Sequence, residues 1–391
     1  MSSSQPKLTI GVPKEVAPGE KRVAVAPDAL SKFKAFSVII EKGAGDNSNF
    51  SDSSYSQAGA SVVENTALVY QQADLILKIQ PPTVSEASLV KEGGVIISFL
   101  YPMQNLDAVE VLSSRKVTSF AMELIPRISR AQSMDTLSSQ ANLSGYKAVL
   151  IAADSLPKLF PMMITAAGTI PPAHVFVLGA GVAGLQAIAT AKRLGAVVEA
   201  YDVRPVVKEQ IMSLGAKFVE LPVEAKDSQT SGGYAKAQSE DFYKKQQQLL
   251  ADHAKTSDVI ITTALVPGQK APILVSEEAV KGMRPGSVIV DLAAEQGGNC
   301  ALTDPGKTTV KYDVIIHGPF NVPSMVAPQA SQLYSRNIVS FIQAIFKPEG
   351  TLNFDLRDDL AKGPLVINHG EVLHEATKNA LASRKNSGDV K

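Results

Sequence analysis

Three glycines pose the first chemical question, in the run Gly179-Ala180-Gly181-Val182-Ala183-Gly184. An apolar run, Val175 to Leu178, precedes them, and a helical pattern, Val182 to Leu194, follows. A second β-rich run then ends on Asp202, 23 residues beyond Gly179. Strand, turn, helix and strand-end acid together suit a dinucleotide. Gly179 permits the tight turn, Gly181 lets the backbone approach a pyrophosphate, and Gly184 lets the helix pack on the strand. The helix N-terminus adds N–H groups and a positive dipole end, both suited to phosphate. Asp202 would accept hydrogen bonds from the adenosine ribose hydroxyls. Its charge would repel a 2′-phosphate, which predicts NAD over NADP, although Arg204 two residues on could accommodate that phosphate. Ala180, Val182 and Val203 belong to the same predicted cofactor-binding set.

A second group lies upstream, in Pro126-Arg127-Ile128-Ser129-Arg130-Ala131-Gln132-Ser133-Met134-Asp135. This polar, doubly basic loop precedes a long helical pattern, Thr136 to about Ser155, for which Asp135 is a candidate N-cap. An Arg, a Gln and an Asp suit the fixing of ribose and carboxamide groups. The alternative for Arg127 and Asp135 is a helix-capping ion pair. On the helix, Leu137, Ala141, Ala148 and Ala152 share a face, while Ser138 and Gly145 are small enough for another element to come close. The five histidines show no metal-ligand spacing, and neither HExxH nor CxxC occurs, so no metal site is predicted. Cys300, the single cysteine, has no adjacent activating His or Lys and reads as a small buried residue.

These groups need a scaffold, and the chain alternates strand-like and helical runs in the way that makes one. Leu8 to Val12, Ser37 to Glu41, Asp74 to Ile79, Gly94 to Leu100 and Val117 to Met122 read as strands, with a helix over Pro27 to Phe36. Further strands fall at Val175–Gly179, Val197–Asp202, Val259–Thr262 and Val288–Asp291, and a last helix at about Gln329 to Phe346. Such alternation predicts parallel sheets covered by helices. The expected fold is α/β, with two Rossmann-like domains separated by a cleft and linked by long helices. The first domain is assigned residues 1–135 plus 330–391. The second, nucleotide-binding domain is assigned 136–329, with a mobile loop near 224–241 and a disordered tail after Lys385.

Bulk properties agree and exclude other classes. At 391 residues the chain suits two domains, and 45% hydrophobic with 19% charged residues is a globular composition. Thirty-eight basic residues balance thirty-eight acidic ones, so no global field favours nucleic acid or an anionic membrane. One cysteine rules out an intramolecular disulfide framework and suits a reducing compartment. Pro161 to Ala191 carries no charge, but Pro171, Pro172 and the glycines break any single spanning helix. A buried strand-turn-helix is expected there instead, in a soluble chain.

Several segments resemble one family, the proton-translocating NAD(P) transhydrogenases, in their NAD(H)-binding alpha-subunit component. They are Arg127 to Asp135, Ala166-Ala-Gly168 with Pro171-Pro-Ala173, and Gly179 to Gly184. Gly232-Gly-Tyr-Ala-Lys236, Thr262 to Gly268 and Asp291 to Asn299 join them, and the likeness covers roughly residues 8 to 346. The resemblance implies that NADH bound here passes a hydride directly to NADP⁺ held on a partner component, while a membrane component moves protons. It assigns the nicotinamide side to Arg127, Gln132, Asp135 and Ser138, with Ile128, Ser129 and Tyr146 also binding cofactor. It places a nucleotide-closing loop at Gly232 and Tyr234, and further contacts at Ala264 and Leu265. It also implies a homodimer, located in a cytoplasm or organelle matrix and peripheral to the inner membrane through its partners. With no membrane span and no NADP-binding unit, the chain is expected to be one subunit of several or a fragment. Gly318-Pro319-Phe320-Asn321-Val322-Pro323 departs from the Gly-His-Thr-Asn-Val-Pro family pattern.

Two other readings compete. The architecture also resembles alanine dehydrogenase, whose chemistry needs a carboxylate-binding Arg and Lys and a proton-handling His. Arg22 and Lys78 sit in matching contexts, but Ser98-Phe99-Leu100-Tyr101-Pro102 contains no His. Loss of such an acid/base costs ~10²–10⁴ in rate. The other reading is a non-catalytic NAD-binding module.

Overall fold

The computed structural model describes residues 7–221, 239–265 and 270–388. They divide into two compact units, Met1–Gln140 with Val326–Lys391, and Ala141–Met325.

The first unit is built on an eight-stranded sheet. Its six parallel strands run, in spatial order, Ser61–Val63, Ser37–Glu41, Thr9–Val12, Leu75–Leu77, Val95–Ser98 and Thr118–Ala121. Leu365–Asn368 then adds antiparallel to Thr118–Ala121, and Glu371–Val372 pairs with it at the edge. The central strands are apolar without alternation because both faces are covered; Leu75, Ile76 and Leu77 are at most 1% exposed. The helix Ala327–Ile345 buries Tyr334, Ile338 and Phe341 completely in the same core. Pro27 opens only a short 3-10 helix ending at Lys32. The helix Glu375–Gly388 continues past Lys385, where disorder was expected.

The second unit carries a seven-stranded sheet in the order Lys217–Phe218, Val197–Tyr201, His174–Leu178, Val259–Thr262, Val288–Asp291, Val314–His317 and Thr308–Lys311. The last strand is antiparallel and the rest are parallel. Numbered by sequence, the parallel strands of each unit follow the order 3-2-1-4-5-6 of doubly wound nucleotide folds. The order reverses between His174–Leu178 and Val259–Thr262, where such folds open a crevice at the strand ends. Two apolar layers, one around Val177 and Ile188 and one around Phe176 and Ile260, cover the sheet's faces.

The uncharged stretch from Pro161 differs from expectation at its start. Met163–Thr165 and Gly168–Ile170 form an antiparallel hairpin, and Ile164 on it is 75% exposed. No described helix is long and apolar enough to cross a membrane.

Candidate nucleotide site

The turn after His174–Leu178 is held from three sides. Gly179 N–H donates to the Tyr201 carbonyl at 2.9 Å, Thr263 N–H to the Leu178 carbonyl at 2.8 Å, and Thr263 Oγ1 to the Gly179 carbonyl at 2.9 Å. Gly179 has φ +96°, a left-handed conformation that disfavours other residues. A Cβ on Gly184 would lie 1.8 Å from the Gly179 carbonyl oxygen, so only glycine lets the helix Val182–Arg193 seat there. A Cβ on Gly181 would meet nothing within 4 Å. Gly181 is also the N-cap of that helix and provides no side-chain acceptor, leaving first-turn N–H groups for an outside anion. This open backbone cradle fits a pyrophosphate.

The long helix Thr136–Ser155 buttresses the turn. A Cβ on Gly145 would lie 2.0 Å from the Ala183 carbonyl oxygen, which is the close approach expected of a residue without a side chain. Ala148 and Ala152 are fully buried on the same helix, and Tyr146 is 41% exposed.

Asp202 is buried and fully engaged. It accepts Ala180 N–H at 2.7 Å and Arg204 N–H at 2.8 Å. The Arg204 side chain adds Nε to Oδ1 at 2.9 Å and Nη2 to Oδ2 at 2.8 Å. Hydrogen bonding to Asp202 raises the Arg204 pKa, and burial opposes it. The strand-end acid is thus locked to the glycine turn on one side and to Arg204 on the other. Val203 lies partly buried between them.

Ala264 borders the Gly179 turn and is clamped by a residue that sequence reasoning did not single out. Asn299 accepts Ala264 N–H at 2.9 Å and donates to the Ala264 carbonyl at 2.8 Å and the Pro272 carbonyl at 2.8 Å. Asp291 in turn holds the loop bearing Asn299, accepting from Thr262 Oγ1, Ala293 N, Cys300 N and Thr303 Oγ1 at 2.7–3.0 Å. Both residues lay within a run already matched to the family, but neither has a periodicity that reveals its role. Burial pushes the Cys300 thiol up to about 11, in keeping with a structural cysteine. Leu265 is part-buried, and Gly232 and Tyr234 lie outside the described residues.

The Arg127 group belongs to the first unit. Ser129–Met134 is a 3-10 helix anchored by buried Ala131 and Met134, with Arg127, Ser129 and Gln132 exposed and Ile128 packed on the core. Asp135 caps the long helix: Oδ1 accepts Ser138 N–H at 2.9 Å and Oδ2 accepts Ser138 Oγ–H at 2.6 Å. The structure therefore gathers the predicted residues into two clusters. One surrounds Gly179 in the second unit, and one lies on the loop Arg127 to Ser138 in the first. No group that could hold a metal occurs among the described residues.

Arg22 and Lys78, the pair an amino-acid oxidoreductase would use, are buried and already satisfied. Arg22 forms a two-point pair with Glu20, at 2.8 and 2.7 Å, and donates Nη1 to Gln140 at 2.9 Å. Lys78 pairs with Glu86 at 2.7 Å and Glu15 at 3.3 Å. Burial raises the Glu15 carboxyl pKa, against the pull of Lys78.

Sheet order, glycine turn and strand-end acid define a two-unit protein of the dinucleotide-binding oxidoreductase class. Residues 148–375 match the C-terminal domain of the alanine dehydrogenase/PNT family and residues 11–144 its N-terminal domain. The chain belongs to that family. It is 49% identical over 378 residues to the first part of NAD(P) transhydrogenase subunit alpha of Rhodospirillum rubrum, covering 94% of this chain and 98% of that one. It is similar to the crystal structure of transhydrogenase from Sinorhizobium meliloti, with a TM-score of 0.82 and 44% identity over 94% of this chain and 99% of that one. Alanine dehydrogenase of Methanococcus maripaludis is more distant, at 31% identity over 95% of this chain and 96% of that protein.

Proposed function

We propose that this chain is the NAD(H)-holding component of a proton-translocating transhydrogenase. In this reading hydride passes directly between the nicotinamide held here and NADP(H) on a partner component. A membrane proton-channel component completes the assembly, to which this chain is peripheral from the cytoplasm or an organelle matrix. The observation that carries the reading is a contrast within the chain. Gly181 leaves an open, uncapped backbone cradle, whereas Arg22 and Lys78 are spent on the chain's own carboxylates.

Bound nicotinamide supplies the hydride chemistry. Direct transfer between two such rings moves no proton at carbon, so the chain needs no general acid or base; it needs positioning. The Gly179–Gly184 turn and the Val182–Arg193 helix hold phosphate. Asp202, with Val203 and Arg204 beside it, addresses the adenosine ribose by exchanging an Arg204 side-chain bond for a ribose hydroxyl, and Ala264 and Leu265 line the strand-end crevice. Arg127, Ile128, Ser129, Gln132, Asp135, Ser138 and Tyr146 orient the nicotinamide half. A homodimer is part of the proposal, supported by the apolar hairpin that exposes Met163, Ile164 and Ile170.

The test mixes the chain with a cognate NADP-binding component and follows hydride transfer from NADH to an NADP⁺ analogue. Transfer is expected in the mixture, with negligible NADH oxidation by pyruvate and ammonia in the chain alone. Robust alanine oxidation by the isolated chain would overturn the reading.

A further inference from the structure

The loop carrying Gln132 and Asp135 is a six-residue 3-10 helix followed by one capping residue. Such a short helix does not by itself hold an exposed amide side chain to the accuracy that ring positioning requires, so something else must fix it. Its outer side is tied by Arg130 to Asp358 at 2.9 Å, with both side chains well exposed, and exposed pairs of this kind contribute little.

The inner tie is stronger. Asn337, on the helix Ala327–Ile345, is 7% exposed. Its Nδ2 donates to the Ser133 carbonyl at 2.8 Å, and its Oδ1 accepts from Ser139 Oγ at 2.7 Å. The two bonds straddle Asp135, pinning the backbone before it and the first helical turn after it. An uncharged amide offers the donor and the acceptor that these two partners require. Tyr334, Ile338 and Phe341 around it on the same helix are fully buried, so the amide projects from a rigid base.

We infer that Asn337 is a positioning residue that sets the Gln132–Asp135 segment for hydride transfer without itself touching the cofactor. The inference rests on the transhydrogenase reading for its catalytic half only.

The experiment uses the full chain and two variants. Asn337→Asp is isosteric but replaces the donor with a charge facing the Ser133 carbonyl, and Ser139→Ala keeps that donor while removing the bond to Oδ1, together with the Ser139 contacts to the Thr136 carbonyl and the Gln140 amide. Limited trypsin digestion, read by mass spectrometry at Arg127 and Arg130, reports the order of the loop. Loss of one hydrogen bond, ~0.5–1.5 kcal/mol, converts to about 2- to 12-fold faster local cleavage at ~1.4 kcal/mol per tenfold. Ser139→Ala is expected in that range and Asn337→Asp above it, with distant tryptic sites unchanged. In the reconstituted mixture, single-turnover transfer is expected to fall ~10²-fold for Asn337→Asp, while NADH affinity changes less than about threefold. Unchanged cleavage at Arg127 and Arg130 would overturn the inference. So would faster cleavage with unchanged transfer, which would make Asn337 structural only. A wild-type chain that transfers no hydride would retire the functional reading instead, and the digestion alone would still decide whether Asn337 fixes the loop.

Discussion

Arg204 closes a two-point ion pair on Asp202, Nε to Oδ1 at 2.9 Å and Nη2 to Oδ2 at 2.8 Å. The same carboxylate holds Ala180 N–H, so acid, base and glycine turn form one unit. The pair gives cofactor choice a specific form. Asp202→Ala is expected to weaken NADH binding by ~1–3 kcal/mol, roughly 5- to 150-fold. It also frees Arg204, so affinity for NADPH should rise relative to NADH, and Asp202→Ala/Arg204→Ala should cancel that rise. Calorimetric titration of both nucleotides reads these quantities. Equal affinity of the unmutated chain for NADPH would sink the assignment of NAD.

Gly181 and Gly184 are expected to fail in opposite ways. Gly181 has φ −75° and open space beyond its missing Cβ, so Gly181→Ala should leave the unfolding midpoint within about 1–2 °C. Its methyl nevertheless occupies the approach to the pyrophosphate, and NADH affinity should drop at least about tenfold. Gly184→Ala drives a Cβ to 1.8 Å from a carbonyl oxygen and should lower stability by several kcal/mol, on the order of the larger core effects. Thermal melts beside NADH titrations separate the two.

Gln132→Asn keeps the amide and shortens its reach by one methylene. A small displacement of the ring can cost ~10²-fold in rate, whereas a lost neutral hydrogen bond costs ~0.5–1.5 kcal/mol of binding. Stopped-flow transfer should therefore fall much further than NADH affinity measured by equilibrium dialysis. Comparable losses in both would make Gln132 an ordinary binding residue.

Glu123 makes the stability of the chain depend on pH. Burial pushes its carboxyl up to about 7, although the N–H groups of Leu100 and Tyr101 pull the other way. A raised folded-state pKa means that the native protein holds a proton the unfolded chain releases. The stabilising contribution is complete below the unfolded value, near 4.5, and is lost as pH rises through about 7. Urea unfolding at intervals from pH 4.5 to 7.5 should show wild type losing up to ~3 kcal/mol more than Glu123→Gln across that window. Parallel curves would show that Glu123 does not titrate there.

Much of this is legible in the amino-acid sequence. The strands Val259–Thr262 and Val288–Asp291 and the helix Thr136–Ser155 fall where apolar runs and the Asp135 cap put them. Local signals sufficed because each element begins or ends on a residue with one strong preference. Ser61–Val63 and the edge strands Glu371–Val372 and Lys217–Phe218 are two or three residues long, too short to show a period, and only pairing in the sheet defines them. The hairpin at Met163–Ile170 was missed for another reason: apolar residues without charge read as core, and these face outward. Asn299 and Asn337 were invisible because their meaning lies in partners far along the chain, Ala264 for one and Ser133 with Ser139 for the other.

The two sheets share one strand order, yet their reversal points differ. In the second unit the ends of the two central strands leave a glycine turn open. In the first, Glu15 follows Thr9–Val12, Lys78 follows Leu75–Leu77, and the pair closes the corresponding position, with Glu15 Oε1 also taking Ile79 N–H at 2.6 Å. A phosphate entering there would meet carboxylates rather than free N–H groups, and would have to break a buried charge pair first. A chain with two nucleotide-type folds is therefore expected to take up one equivalent of NADH. Calorimetry should return a stoichiometry near one, and charge-removing substitutions at Lys78 or Glu15 should cost stability without creating a second equivalent.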